Sequence, residues 1–335
     1  MELILPKGYE TKLSIRETEN AIKAIKDKFE RALAKNLNLT RVSAPLMVLP
    51  ESGLNDNLSG VERTVRFGIL NLGDREVEIV QSLAKWKRSV LPRYGFAEGE
   101  GLYTDMNAIR RDDELDNTHS IYVDQWDWEV VISKEQRTLE TLTRTVNNIY
   151  AALKATEAYI ISEYPVLEGY LPADVTFITS QELEDKYPRL TPKEREDEIT
   201  KEYGAVFIIG IGGKLRSGER HDGRAPDYDD WTMNGDLLLW YPVLNKAIEI
   251  TSMGVRVDEA SLAAQLELAD ATDRAALPFH RDILNCRLPY TIGGGLGQSR
   301  ICMYLLNKAH VGEVQASVWS AEMIQACKAY GVVLL

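Results

Sequence analysis

Residues 291–306 read TIGGGLGQSRICMYLL: three consecutive glycines, a fourth at Gly297, an arginine at Arg300, and an apolar run with Ile301, Leu305 and Leu306. Glycine lets the backbone take φ > 0 and approach a ligand closely. The run after it has helical spacing, so the stretch reads as strand end, tight turn and helix start. Arg300 then falls in the first helical turn, where the positive end of the helix dipole disfavours a cation by roughly 0.3–1 kcal/mol. An anion or an aromatic ring against the guanidinium would account for that placement. Taken alone, the stretch reads first as a Gly-rich connection with a surface arginine.

The rest of the chain supplies context. Its 335 residues can form one large domain or two medium ones, and 44% apolar with 27% charged residues describes an ordinary globular composition. No apolar run reaches bilayer-spanning length, and MELILPKGYETK at the start lacks the pattern of a secretory signal. Cys286, Cys302 and Cys327 are odd in number and lack metal-ligand spacing. They read as reduced packing residues of a cytoplasmic protein. A net charge of −12 argues against nucleic acid as the main partner. Anionic substrates would then need a local island of positive charge.

Along the chain, Glu17 to Leu33 carries an apolar stripe at Ile22, Ile25, Phe29 and Leu33 and reads as a helix. Arg41 to Leu49 is β-like but interrupted by Pro45, which places it at an edge or an interface. The polar loop Pro50 to Gly60 contains Asp56. Glu62 to Leu72 and Glu76 to Val80 read as a strand pair, followed by a helix SLAKWKRSVL with Ser82 as its cap and Lys85, Lys87 and Arg88 crowded together. Leu102 to Arg110 and Ser120 to Ile132 are two strands joined by RDDELDNTH. In the second, alternation sets Gln125, Asp127 and Glu129 against Trp126, Trp128 and Val130. The aromatic face belongs in a core, and the polar face suits the floor of a site.

Ser133 to Glu163 is the longest helical stretch, stopped by Pro165, and Thr191-Pro192-Lys193-Glu194 is a capping box that opens a helix to about Tyr203. Ala205 to Gly210, Asp236 to Trp240 and Ala247 to Thr251 read as strands. The sum is α+β: a mostly antiparallel sheet flanked by helices, in a single domain over residues 1–335 with a mainly helical insertion at about 133–203.

Several familiar sites are excluded. A phosphate-cradling loop ending at Gly213-Lys214 would need Gly at 208 and Ser or Thr at 215, where Ile208 and Leu215 stand. His119, His221, His280 and His310 lack zinc spacing. More promising are Arg110 and Arg256, at strand positions flanked by apolar residues. A buried guanidinium must be paired, and Arg grips carboxylate or phosphate with two N–H groups. Asp236 and Glu249, with hydroxyls at Thr251 and Ser252, offer oxygen ligands on adjacent strands that suit Mg²⁺ held jointly with substrate phosphates. Asp227, Asp229 and Asp230 in RAPDYDDW read as a solvated turn.

In order along the chain, these pieces resemble the three motifs of the class II aminoacyl-tRNA synthetase core. They are a long helix leading to a strand with Pro45, the hairpin AIRRDDELDNTHSIYVDQWDWE with Arg110, and GGGLGQSR with Arg300. Within that superfamily, NDNLSG, SLAKWKR, GEGLYT, YVDQWDWE, GAVFIIGIGGKL, RAPDYDDW, TSMGVRVD and TIGGGLGQSR resemble the ammonia-dependent asparagine synthetases (aspartate–ammonia ligases) from roughly residue 15 to 320. The resemblance implies conversion of L-aspartate, ATP and ammonia to L-asparagine, AMP and pyrophosphate through β-aspartyl-AMP.

It also implies roles for individual residues. Arg110 would hold the α-phosphate. Arg300 would lie on adenine, with Asp229 and Gly295 also at the nucleotide. Asp236, Glu249 and Ser252 would hold Mg²⁺. Ser82, Lys87, Gln125, Asp127 and Arg256 would grip aspartate. Asp56 and Asp229 are the two choices for positioning ammonium and taking its proton, and Lys87 stands with them as a catalytic group. A homodimer through the first motif is implied. The family often has His before this serine, whereas here it is Gln81, and WTMNGD implies a trimmed loop between Trp231 and Asp236. The rival readings are a tRNA synthetase-like enzyme, for whose anticodon-binding domain there is no room, and a non-catalytic paralogue that binds asparagine or AMP.

Overall fold

The structure is a computed structural model, and it describes residues 3–56, 58 and 62–335. Eleven strands and nine α-helices are present among the described residues. The strands are β1 (Leu39–Arg41), β2 (Met47–Val48), β3 (Arg66–Ile69), β4 (Arg75–Ile79), β5 (Gly101–Ile109), β6 (Tyr122–Val131), β7 (Thr176–Thr179), β8 (Ala205–Ile209), β9 (Asp229–Tyr241), β10 (Lys246–Arg256) and β11 (Thr291–Gly297). The helices are α1 (Ile15–Leu37), α2 (Ala84–Tyr94), α3 (Leu139–Glu163), α4 (Ser180–Lys186), α5 (Pro192–Tyr203), α6 (Glu259–Leu268), α7 (Pro278–Leu284), α8 (Gln298–Leu305) and α9 (Ala321–Ala329).

Eight strands form one sheet in the order β1-β5-β6-β11-β10-β9-β8-β7, and β2-β4-β3 form a small second sheet. The six central strands of the large sheet are antiparallel; β1 against β5 and β7 against β8 are the parallel pairs at its two edges. No helix among the described residues is long and apolar enough to cross a membrane.

One face of the sheet is covered by α1, α3 and α8. Ser14 caps α1 in a reciprocal box with Glu17, and its stripe Ala21, Ile25, Phe29 and Leu33 is buried on the sheet. Trp126 and Trp128 of β6 point into the same core, and Phe29 meets Trp126 with ring centroids 4.8 Å apart. The alternation read in this strand therefore holds, and its odd-numbered residues face the other side. There the sheet is covered only in part. At one end α2 brings Leu83, Trp86 and Leu91 onto Leu102, Met106 and Val131. At the other, α4 and α5 place Leu183 and Ile199 on Val206, Ile208 and Leu238. Between these two covers the sheet stays open.

Several boundaries differ from the sequence reading. The triple glycine lies inside β11, which runs into α8 through Gly297 without a turn. None of Gly293, Gly294, Gly295 or Gly297 is in the left-handed region. The stretch at 41–49 divides into β1 and β2, which join different sheets on either side of Pro45. Helix α3 begins at Leu139 because Thr138 accepts the Thr141 N–H at 3.2 Å and so serves as its cap. The N-cap of α2 is Leu83; the Ser82 hydroxyl accepts the Ala84 N–H at 3.1 Å but does not occupy the cap. Trp231 to Asp236 is strand, part of the long β9. Cys302 and Cys327 are buried and free, whereas Cys286 is exposed.

Candidate active site

One row of residues crosses the open face. Asp127 of β6 lies opposite Gly295 of β11, Gly295 opposite Ser252 of β10, and Ser252 opposite Asp236 of β9. Directly opposed residues share a face, so two acids separated by a glycine and a serine line the same floor. The next such row runs Glu129, Gly293, Gly254, Asn234. Here the glycines have a steric reason. A Cβ on Gly293 would stand 2.0 Å from Glu129 Oε2 and 2.7 Å from Arg256 Nη2, and one on Gly295 would stand 2.6 Å from both Asp127 Oδ1 and Gln125 Oε1. They clear room for the side chains of β6 and β10.

A cavity of about 230 Å³ stands over the first row and is bordered by Asp56, Ser82, Lys87, Asp127, Asp229 and Arg256. It adjoins a second of about 520 Å³ that contains Arg300, and the two share Arg110, Gln125, Asp222, Glu249 and Gly295. Asp236 and Ser252 border the first. The residues singled out from the sequence for substrate, nucleotide or metal therefore lie on one continuous cleft, except Thr251, which is buried opposite Leu237. Part of the polar loop expected at Pro50 to Gly60, residues 57, 59 and 60, lies outside the described residues.

The inner cavity is built on buried charge. Arg256 donates to Glu129 at 2.8 and 3.0 Å and pairs with Asp229 through Nη1. Thr291 donates to Glu129 at 2.7 Å. Burial alone would raise the Glu129 carboxyl, but Arg256 and Lys87 outweigh it and hold it low. Lys87 Nζ lies 3.1 Å from Asp127 Oδ1 and donates to the Gly294 carbonyl at 2.8 Å, while Asp127 Oδ2 is buried with no partner. Burial pushes the Lys87 ammonium down. The crowded cations of α2, Lys85, Lys87 and Arg88, are all buried, and Arg88 donates to the Val257 and Pro289 carbonyls.

Asp56 is buried and lines the inner cavity. Its Oδ1 accepts the Leu58 N–H at 2.9 Å, its buried Oδ2 has no partner among the described residues, and burial raises its carboxyl. Behind it Lys85 bonds the Asn55 carbonyl at 3.1 Å and Asp227 at 2.8 Å, and Asp227 also takes His280 at 2.9 Å. Arg110 lies one residue past β5 and donates to the Gln81 carbonyl at 3.3 Å. The solvated turn expected at RAPDYDDW is overturned. Asp227, Asp229 and Asp230 are all buried, because Lys85, Arg256 and Arg137 each supply one of them with a cation. Arg224, in the same stretch, pairs with Asp236 at 2.5 Å. Its place beside the acidic cluster Asp227, Asp229 and Asp230 is the signal for it in the sequence.

On the nucleotide side, Arg300 donates to the Thr118 carbonyl at 3.2 Å and the Glu249 carbonyl at 3.1 Å. Two main-chain acceptors offset its place near the start of α8 and leave part of the guanidinium facing the second cavity. Ser252 Oγ reaches Asp236 at 2.6 Å and Glu249 at 3.2 Å, tying the two carboxylates together. Burial and the neighbouring Glu249 raise Asp236 to about 6 against the pull of Arg224.

Among the described residues no three acids or imidazoles gather into a self-sufficient metal centre. A pair of carboxylates joined by a hydroxyl nonetheless fits Mg²⁺, which prefers oxygen and takes one or two protein carboxylates plus water or phosphate. The lining points the same way. Lys87, Arg110, Arg224 and Arg256 face six carboxylates around the inner cavity, so the positive island expected for anionic substrates is absent.

Residues 16–331 match the family model described as aspartate-ammonia ligase. The chain is 64% identical over 334 residues to an aspartate–ammonia ligase of Clostridium perfringens, covering 100% of this chain and 99% of that one. It is 59% identical to one of Lactobacillus johnsonii, with 100% of both chains covered. Among solved structures, asparaginyl-tRNA synthetase from Pyrococcus horikoshii complexed with asparaginyl-adenylate aligns with a TM-score of 0.64 at 14% identity, over 91% of this chain and 70% of that one. The enzyme from Entamoeba histolytica aligns with a TM-score of 0.63 at 14% identity, over 90% and 67%. These structures show a shared fold, that of the class II aminoacyl-tRNA synthetases. By its match along nearly its whole length, the chain belongs to the aspartate–ammonia ligase family.

Proposed function

We propose that the cleft makes L-asparagine from L-aspartate, ATP and ammonia through β-aspartyl-AMP. The observation that carries this is the pair of adjoining cavities with Arg110 at their junction. Aspartate fits the inner one. The unpartnered Asp127 Oδ2 suits its α-ammonium, Gln125 and Ser82 offer hydrogen bonds, and Lys87 and Arg256 supply positive charge towards its carboxylates. ATP fits the outer one, with Arg300 against the nucleotide and Gly295 leaving the floor low. The β-carboxylate then attacks the α-phosphorus and pyrophosphate leaves. Arg110, at the junction, stabilises the charge that builds on the phosphoryl oxygens, the contribution that often dominates such steps.

Asp236 and Glu249, with Ser252 between them, would hold a divalent cation, which when bound neutralises and orients the phosphates. In the second half-reaction the ammonia nitrogen attacks the acyl carbon and AMP departs. Ammonium must first lose a proton. Asp229 is engaged with Arg256, whereas Asp56 keeps a buried oxygen with no partner among the described residues; Asp56 is therefore the better acceptor, and its raised carboxyl matches the task. The reading also takes two copies to pair through α1 and the strand after it, and a monomer by light scattering at micromolar concentration would contradict that part.

The test is to supply the purified protein with aspartate, ATP, Mg²⁺ and either ammonium or glutamine. Asparagine and AMP form with ammonium. ADP as product, or a requirement for glutamine, overturns the proposal.

A further inference from the structure

Arg224 stands in the cleft in a place that none of these roles uses. Its loop joins β8 to β9 and is fastened on both sides of the arginine. Before it, His221 Nε2 meets Glu196 at 3.1 Å and Asp222 pairs with Lys193 at 3.2 Å. After it, the Ala225 carbonyl accepts the Trp231 indole N–H at 3.3 Å, the Pro226 carbonyl accepts the Gln265 amide at 2.9 Å, and Asp227 is sealed by Lys85 and His280. The main chain is held, so a change of partner falls to the side chain. It puts Nη2 2.5 Å from Asp236 Oδ1, the oxygen to which Ser252 also donates, while its Nε is buried with no acceptor.

A guanidinium and a divalent cation cannot share that oxygen. They compete for the same lone pairs, and their charges repel. An arginine with an idle N–H beside a polyphosphate path is also well suited to grip a phosphate once released.

We propose that Arg224 is a placeholder cation. In the nucleotide-free protein it neutralises Asp236 and keeps divalent ions out. The incoming triphosphate draws it away onto a phosphate oxygen and opens Asp236, so that metal and nucleotide bind as one coupled event. This rests on Asp236 and Glu249 being the metal carboxylates. It adds that their affinity is set by a residue that never touches the metal. Thermodynamic reciprocity then requires nucleotide to raise metal affinity by the same factor by which metal raises nucleotide affinity.

The probe is Mn²⁺, followed by the paramagnetic resonance signal of the free ion. Without nucleotide, Arg224→Gln binds Mn²⁺ at least about tenfold more tightly than the unmodified protein, a coupling of ordinary size. Equal affinities overturn the placeholder. Asp236→Asn, measured with Mn²⁺ and a non-hydrolysable ATP analogue, tests the underlying reading separately. Loss of bound Mn²⁺ supports it; retention overturns the metal assignment and the placeholder with it. Should Arg224→Gln fail to fold, a crystal structure of the unmodified protein with the analogue and Mg²⁺ decides the matter. The Arg224–Asp236 pair is broken there if the proposal holds, and an intact pair overturns it.

Discussion

At the scale of single residues, His310 shows how burial and one hydrogen bond select a protonation state. The ring packs edge-on against Trp319 at 4.7 Å, is fully buried, and its Nδ1 accepts the Gly312 N–H at 3.0 Å. That bond needs a lone pair on Nδ1, so the neutral ring is the one the fold accommodates, and burial lowers its pKa from 6.5 to about 4. A histidine that takes up its proton more readily when unfolded makes stability rise with pH. The contribution is complete above pH 6.5, drains as pH falls towards 4, and amounts to about 3 kcal/mol over that window. His310→Asn has no proton to gain. Urea unfolding at pH 7.5 and 5.0 should show a loss in the unmodified protein that is clearly smaller in the variant; equal losses would dispose of the assignment.

At the scale of elements, β11 separates two kinds of glycine. A Cβ on Gly294 would meet Met253 Cβ at 2.6 Å and the Ser252 carbonyl at 2.8 Å, neighbours that belong to β10 and cannot swing away. A Cβ on Gly295 meets the far ends of Asp127 and Gln125, which can. Gly294→Ala should therefore cost stability, about 1–3 kcal/mol as for other overpacked positions. Gly295→Ala should melt near the unmodified protein yet raise the KM for aspartate. Equal melting temperatures for the two variants would refute this distinction. The same strand shows what the sequence could and could not convey. Alternation made β6 legible, because Trp126 and Trp128 stand against Gln125, Asp127 and Glu129. A run of glycines has no side chains to alternate, so β11 read as a turn. In α2 the sequence shows cations crowded together but not what they face: they belong to an interior that is itself charged, and periodicity of polarity cannot tell that from solvent. Asp227, Asp229 and Asp230 read as a surface for the same reason, since their cations come from α2, β10 and the segment before α3. Arg110 and Arg256 were legible because a charge among apolar neighbours needs a partner wherever it lies.

At the scale of the whole molecule, the chain carries −12 and its cleft is acidic as well. The outer cavity places Arg110 and Arg300 among seven carboxylates, so ATP, a polyanion, approaches a surface that repels it unless a cation comes too. Removing divalent ions with a chelator should weaken ATP binding by calorimetry at least about tenfold. Aspartate, which brings its own ammonium, should lose less than about threefold. ATP binding that ignores the chelator would mean the carboxylates play no such part. The row Asp127, Gly295, Ser252, Asp236 has a further consequence, for the way this chain can change over time. Its members come from four strands and share a face only while each strand keeps its count, because a slip of one residue turns every side chain to the other side. Insertions and deletions thus belong in connections such as the one between Tyr241 and Lys246, or must be absorbed as bulges like those in β10 between Glu249 and Thr251 and between Gly254 and Arg256. Descendants of this gene can lengthen or shorten there, but from Thr291 to Arg300, where strand passes into helix without a joint, inheritance has to be letter for letter in number even where the letters differ.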